Sequence, residues 1–304
     1  MFSARKGEGD SVKELNSAQS KVVIGTASWG NNYGLFNLSG VDEEAAKRIL
    51  AIALTADVRA IDTAPGYGDS EVVLGGCKLS KFNLHTKIDS GTWDQGSDYA
   101  YKRLRESLSR LGVERLKGLT FHSADSFLGD PKRAMDFVSR VKGEGLAQNW
   151  GVSVYEPGQV LEIMRFTAPD YIQAPVSLLD RRFLARGFLT NIGEMGVELQ
   201  ARSIFLQGVL LQGSNHIPSQ FRPWGDLLLR YLSLAHEQGM SMFHFALMSV
   251  LQEPAIRTAV VGINEESHIR ELAMAVSSKA ASLCLSEIED SKDLNLIDPR
   301  RWGK

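Results

Sequence analysis

The chain has few of the features that mark several large protein classes. Its 304 residues hold two cysteines, Cys77 and Cys284, far apart and in neither a C-x-x-C nor a zinc-ligand spacing. That argues against a disulfide scaffold and makes a reducing cytosol the simplest home. No apolar run approaches the ~18 residues of a membrane span. The polar, mixed-charge stretch MFSARKGEGDSVKELNSAQS lacks the apolar centre of a secretory signal. Charge of either sign is not in excess: 34 Lys and Arg face 36 Asp and Glu, for a net charge of -2. Nucleic acid and anionic membranes therefore find no general attraction here. The histidines form no H-x-H or H-E-x-x-H spacing, so no metal is expected. GTASWG, after the first apolar run, does not fit the G-x-G-x-x-G fingerprint of a doubly wound dinucleotide fold.

What remains is an ordinary globular composition, 43% hydrophobic and 23% charged, with 28 Gly against 9 Pro. Residues 1–20 are expected to be a loose leader or a cap across the bottom of the fold, and residues 21–304 a single domain. From Lys21 the chain alternates. KVVIGTASW, RAID, NLHTK, LKGLTF, QNWGVSV, YIQAPVS, ELQARSIFL and Ala259–Gly262 read as strands, with helical patterns between them. Asp42 is placed to cap the first helix, whose apolar stripe runs through Ala45, Ile49, Ile52 and Ala53. Eight strands interleaved with helices predict an α/β (β/α)8 TIM barrel, a fold of roughly 250 residues. One long interruption, Gly208 to Arg230, is expected to cover a site.

The polar groups of interest fall at strand ends, where such barrels do their chemistry. IDTAPGYGDSE carries Asp62 off the end of a strand and presents Tyr67 after the Pro65–Gly66 break; Lys87 closes NLHTK, and His122 closes LKGLTF. A phenol releases a proton reluctantly, its unperturbed pKa being about 10. A neighbouring ammonium stabilises the phenolate, an Asp keeps that ammonium charged and aimed, and an imidazole can hydrogen-bond a substrate oxygen. The four together form a proton-delivery device for a carbonyl.

In the order and spacing of Asp62, Tyr67, Lys87 and His122 the chain resembles the aldo-keto reductases, and the resemblance runs from about Lys21 onward. It implies a nicotinamide cofactor. GVSVY resembles a family run whose serine, here Ser153, holds the carboxamide, and the Asn that follows in the family is Val154 here. Gln173 matches the family's second carboxamide ligand. Gly25, Thr26 and Asp62 are implied to bind the cofactor, as are Ser203, Leu206 and Gly208, in a stretch similar to the family's Y-S-P-L-x-x-G-x-L. Arg202 stands where many members place a ring-stacking Tyr; it can stack, reach a phosphate or meet an acidic substrate. Gly262, Asn264 and His268 match the far end of the cofactor, where members preferring NADP carry basic residues. NADP is the default and NAD the alternative.

The expected function is thus NAD(P)-dependent interconversion of an aldehyde or ketone, including sugar-derived carbonyls, with an alcohol. A small molecule would be the partner and a cytoplasmic monomer the default state. Trp29, Tyr33, Phe36, Trp93, Phe127, Trp224 and Arg202 are expected to line the substrate pocket. Two rival readings are a Schiff-base lyase or aldolase acting through Lys87, and a nicotinamide-binding redox sensor or regulatory subunit.

Overall fold

A computed structural model describes residues 18–30, 35, 40–212, 217–277 and 290–302. Eight parallel strands close into a barrel in sequence order, the last pairing with the first. They are β1 (Val22–Gly25), β2 (Ala60–Asp62), β3 (Asn83–Ile88), β4 (Leu116–Phe121), β5 (Ala147–Ser153), β6 (Tyr171–Pro175), β7 (Glu198–Arg202) and β8 (Ile256–Gly262). The intervening helices are α1 (Glu43–Thr55), α2 (Ser70–Gly75), α3 (Ser90–Asp94), α4 (Ser97–Leu111), α5 (Ala124–Leu128) and α6 (Pro131–Gly143). They continue with α7 (Pro157–Ile163), α8 (Arg186–Glu194), α9 (Gly225–Glu237), α10 (Met242–Leu251), α11 (Glu266–Ser277) and α12 (Leu294–Ile297). Among the described residues no helix is long and apolar enough to cross a membrane.

Local chemistry sets the element ends. The Asp42 carboxylate accepts the Ala45 N–H and opens α1, while Ala46, Ile49, Leu50 and Ala53 turn its apolar stripe inward. Asp130 caps α6 in the same way, with Pro131 in the first turn, where its missing N–H costs nothing. α4 stops at Gly112, which adopts the left-handed φ of 66° that ends many helices.

Strand register brings the functional ends together. Gly25 lies beside Asp62 and Gly262, Asp62 beside His85, Lys87 beside Thr120, Ser153 beside Gln173, and Pro175 beside Arg202. Side chains alternate along a strand, so His85 and Lys87 share a face, as do Tyr171 and Gln173, and Gln200 and Arg202. That face is the barrel interior, and it is polar. Gln173 Nε2 donates to Asp62 Oδ1 (3.1 Å) and Gln200 Oε1 (2.6 Å), and Gln200 passes a hydrogen bond to Thr258 Oγ1 (2.9 Å). Below this string the Tyr171 hydroxyl bonds Thr120 Oγ1 at 2.6 Å and its ring meets His85 edge-on. Gly118 and Gly151 leave the room: a Cβ at Gly151 would come within 2.5 Å of the Tyr171 ring, and one at Gly118 within 2.4 Å of His85 Nδ1.

The structure departs from the sequence reading in several places. β1 ends at Gly25, with a turn through Ala27, Ser28 and Trp29 in place of further strand. β7 ends at Arg202 because Ser203 takes a φ of 58°. The helical pattern between β6 and β7 is a short 3-10 turn, Arg182–Leu184, followed by α8, and α3 and α5 were not anticipated. Most of the expected interruption is helical: Leu206–Leu211 and Ser219–Trp224 form 3-10 segments before α9, and residues 213–216 lie outside the described residues. Of the leader, residues 1–17 lie outside the described residues; Gln19–Lys21 is a 3-10 turn bonded through Gln19 to the Val276 carbonyl and through Lys21 to the Leu251 carbonyl.

Candidate active site

A cavity of about 820 Å³ opens over the C-terminal ends of the strands. Asp62, Tyr67 and His122 reach it from the ends of β2, the loop after it and β4. Lys87 does not: it is 1% exposed and lies directly beneath them. Its Nζ forms an ion pair with Asp62 Oδ2 and donates to the Thr63 carbonyl at 3.1 Å. Two of its three hydrogens are thereby committed, and Tyr67 stands beside the third, its ring centroid 5.0 Å from Nζ. Tyr67 and His122 meet edge to face at 5.9 Å. The four residues picked from sequence are thus one cluster.

Burial decides their charge states. It pushes the Tyr67 phenol above its ordinary value; the Lys87 ammonium pulls the other way without overcoming it. The expectation that Lys87 leaves this phenol with a lowered pKa therefore needs correction, because desolvation of a phenolate outweighs the nearby charge. Burial alone would lower Lys87, but Asp62 and Tyr67 more than offset it and leave the ammonium raised. Held in this way, Lys87 is not the free amine that Schiff-base chemistry requires. His122 is pushed down to about 4, by burial first and the Lys87 charge second, so its imidazole is neutral near pH 7 and can donate an N–H without carrying a charge.

Along the cavity floor lie Gly25, Thr26, Ser153, Gln173, Arg202, Ser203, Gly208, Gly262, Asn264 and His268, as expected from sequence. Leu206 is the exception: its side chain is in the core, and its N–H is spent on the Ser203 carbonyl at 2.9 Å. Thr26 is locked by its N–H and hydroxyl to the Asp62 carbonyl and by Ser70 Oγ at 2.7 Å. At the far end Asn264 bonds Ser28, its N–H reaches His268 Nδ1 (3.4 Å), and His268 Nε2 meets Glu265 at 3.1 Å.

The expected aromatic liners fare less well. Trp29, Trp93 and Phe127 are buried in the core, where Trp93 and Phe127 pack with Phe121 away from the cavity. Trp224 leans on Phe221, and Tyr33 and Phe36 lie outside the described residues. Besides Tyr67, the cavity's described aromatics are Tyr155, Phe205 and Phe243, the last two stacked at 4.8 Å. Glu271, held by Ser241 at 2.8 Å, also lines it and was not anticipated. Tyr155 follows Ser153 closely enough to have been suspected. Phe243 and Glu271 enter because α10 packs beside the turn after β7 and α11 packs on α10, which no local pattern announces.

A donor set fits a nicotinamide at the Ser153 end. The Ser153 hydroxyl faces the cavity, both Gln173 amide hydrogens are used below so that its carbonyl is left, and the buried Arg202 Nε has no partner. Comparison with known proteins agrees. Residues 21–290 match the family model described as Aldo/keto reductase family. The chain is 22% identical over 262 residues to the uncharacterized oxidoreductase YqkF of Bacillus subtilis (strain 168), covering 79% of this chain and 85% of that protein. It is 26% identical over 211 residues to the NADH-specific methylglyoxal reductase of Escherichia coli (strain K12), a match spanning 62% of this chain and 64% of the relative. The holo aldo-keto reductase AKR11C1 from Bacillus halodurans superposes with a TM-score of 0.73 at 20% identity, over 90% of this chain and 95% of that one.

Proposed function

The chain belongs to the aldo/keto reductase family and is a nicotinamide-dependent oxidoreductase; from that premise we propose that it reduces an aldehyde or ketone to an alcohol, with Tyr67 as general acid. The observation that carries this reading is the stack of Asp62, Lys87 and Tyr67, a buried charge held directly behind a phenol at the cavity wall. The bound cofactor supplies a hydride to the carbonyl carbon. Tyr67 gives its hydroxyl proton to the carbonyl oxygen, which takes up the electron pair of the broken C=O π bond. The resulting phenolate is stabilised by Lys87, whose charge Asp62 secures. His122, neutral, donates an N–H to the same oxygen and orients it. The reverse sequence oxidises an alcohol.

In this reading Ser153 and the Gln173 carbonyl hold the carboxamide, and Gly25 and Thr26 pass beneath the dinucleotide. The turn through Ser203 and Gly208 faces the phosphates, and Gly262, Asn264 and His268 face the adenosine end. The preferred form is NADH. The NADP default gives way because, among the described residues, the cavity lining has no Lys and no Arg but Arg202, which stands at the nicotinamide end. A 2'-phosphate would instead meet Glu265, already paired with His268, and Glu271. Such carboxylates repel a phosphate. The substrate is a small molecule, and the enzyme is a cytoplasmic monomer comprising a barrel from residue 21 after a short leader.

Purified protein mixed with NADH and a panel of small aldehydes, ketones and dicarbonyls should consume NADH absorbance with at least one of them. No consumption by any carbonyl, together with no quenching of tryptophan fluorescence by either dinucleotide, would sink the proposal.

A further inference from the structure

Arg202 carries a charge that its surroundings leave uncompensated. Its Nη2 reaches across the end of β6 to the Val154 carbonyl (2.9 Å), and its Nη1 to Ser203 Oγ (3.2 Å). The guanidinium carbon lies 4.3 Å from the Tyr155 ring centroid, while Nε is buried without a partner. Among the described residues no carboxylate lies in ion-pair reach of it. Other guanidiniums nearby in sequence or on the same ring are matched: Arg300 by Asp298, Arg182 by Asp180 and Glu156, Arg181 by Glu253. Lys87 is likewise balanced by Asp62. A half-buried, unpaired cation is costly to keep, so its place beside Ser153 asks for a use.

The oxidised nicotinamide ring carries a positive charge and the reduced ring carries none. A fixed cation beside that ring acts on one redox form only. From this we infer that Arg202 makes the site select the reduced cofactor, weakening the oxidised form by a repulsion that the reduced form does not meet. The inference rests on the reading of the Ser153–Gln173 end as the nicotinamide seat. Arg202 also has the means to hold its position: Tyr155 is flanked by its guanidinium and by that of Arg300, whose carbon is 3.9 Å from the same ring. The Val154 and Ser203 bonds fix the other edge. Were the oxidised ring seated against this guanidinium, the repulsion in a partly solvated cleft would correspond to a preference on the order of tenfold or more. An enzyme that reduces carbonyls in a pool rich in oxidised cofactor gains by such selection, since the spent form leaves readily and competes poorly.

The test is a set of dissociation constants for NADH and NAD+, measured by calorimetry on the wild-type protein and on Arg202→Met, Arg202→Gln and Arg202→Lys. The wild type should favour NADH by about tenfold or more. Arg202→Met should bring the two constants within about threefold of each other, chiefly by tightening NAD+. Arg202→Gln, which keeps a donor for Val154 or Ser203, should do the same and decides the matter where the Met variant does not fold. Arg202→Lys should keep the preference, because it keeps the charge. A ratio unchanged in both neutral variants overturns the inference. So does a wild-type ratio near unity, or an unchanged ratio accompanied by weaker binding of carboxylated carbonyls alone, which would assign Arg202 to the substrate. If neither dinucleotide binds the wild type, the nicotinamide reading itself fails, and that outcome is distinct from the others.

Discussion

Gln173 donates its amide to Asp62 Oδ1 at 3.1 Å, taking the carboxylate oxygen that Lys87 leaves free. Asp62 is therefore held from β3 on one side and from β6 across the barrel on the other. Its carboxylate cannot swing away from Lys87 without breaking a second bond in the dry interior.

Asp62→Asn removes the charge and leaves Lys87 as a buried, unpaired ammonium. Breaking a buried pair from one side typically costs about 3–5 kcal/mol. The Lys87 ammonium should also lose protons more readily, so activity should fall. Urea unfolding of the variant measures the first effect; a midpoint equal to wild type would mean that the pair is not coupled in the folded protein.

Tyr67→Phe removes the hydroxyl proton and little volume. Turnover should drop by about 10²–10⁴-fold, the usual contribution of a positioned general acid. NADH affinity should stay within about threefold, since the hydroxyl faces the substrate oxygen in the proposed reaction. Steady-state rates and a binding titration on the same preparation check both halves, and full activity in the variant refutes the assignment.

His85 and His122 both sit at a pKa of about 4 in the folded protein, against an ordinary 6.5, chiefly because burial disfavours the charged ring. The unfolded chain takes up protons below its own value near 6.5, while the folded chain does not until about 4. Stability is therefore fully present above the upper value and is lost as pH falls through the window, by up to about 3 kcal/mol for each ring. Urea midpoints should decline steadily across that window. A flat profile would show that the two rings are not buried in solution.

Gly151→Ala should be among the least tolerated changes in the barrel. Its Cβ would meet the Tyr171 ring at 2.5 Å and the Tyr171 carbonyl at 2.6 Å, and the ring is fixed by Thr120 above and His85 beside it. Overpacking of this kind costs about 1–3 kcal/mol and sometimes more. Thermal unfolding reads it directly, and an unshifted midpoint would mean that Tyr171 has somewhere else to go.

Glu265→Gln combined with Glu271→Gln should raise NADPH affinity relative to NADH by about fivefold or more, each lost carboxylate relieving repulsion of the 2'-phosphate. Paired titrations of the double variant and the wild type decide it. No change in the ratio would place the phosphate elsewhere in the cleft.

The sequence made the barrel legible because each unit announces itself, with Asp42 and Asp130 capping helices and short apolar runs ending in a polar residue. Asp62, Tyr67, Lys87 and His122 were legible for a related reason: adjacent parallel strands place successive strand ends side by side, so order along the chain becomes neighbourhood in space. The pocket walls were not. Trp93 and Phe127 looked like liners by composition, yet helices α3 and α5 bury them against Phe121. Phe243 and Glu271 reach the cavity through helix packing, and the turn after Arg202 depends on left-handed Ser203, Leu206 and Gln207, residues whose side chains give no hint of it. The sign of the Tyr67 shift was misjudged because burial cannot be weighed against charge before the depth of the site is known.

Tyr155 stands between guanidiniums made at very different times. Arg202 closes the seventh strand, whereas Arg300 comes after α12. On the ribosome, a nascent chain can have all eight strands outside and still lack the second of them. The barrel would be formed while the Tyr155 ring still lacked one of its two cation neighbours. Competence for chemistry should then arrive as a separate and later event than competence to resist proteolysis, set by when residues 294–301 emerge and dock.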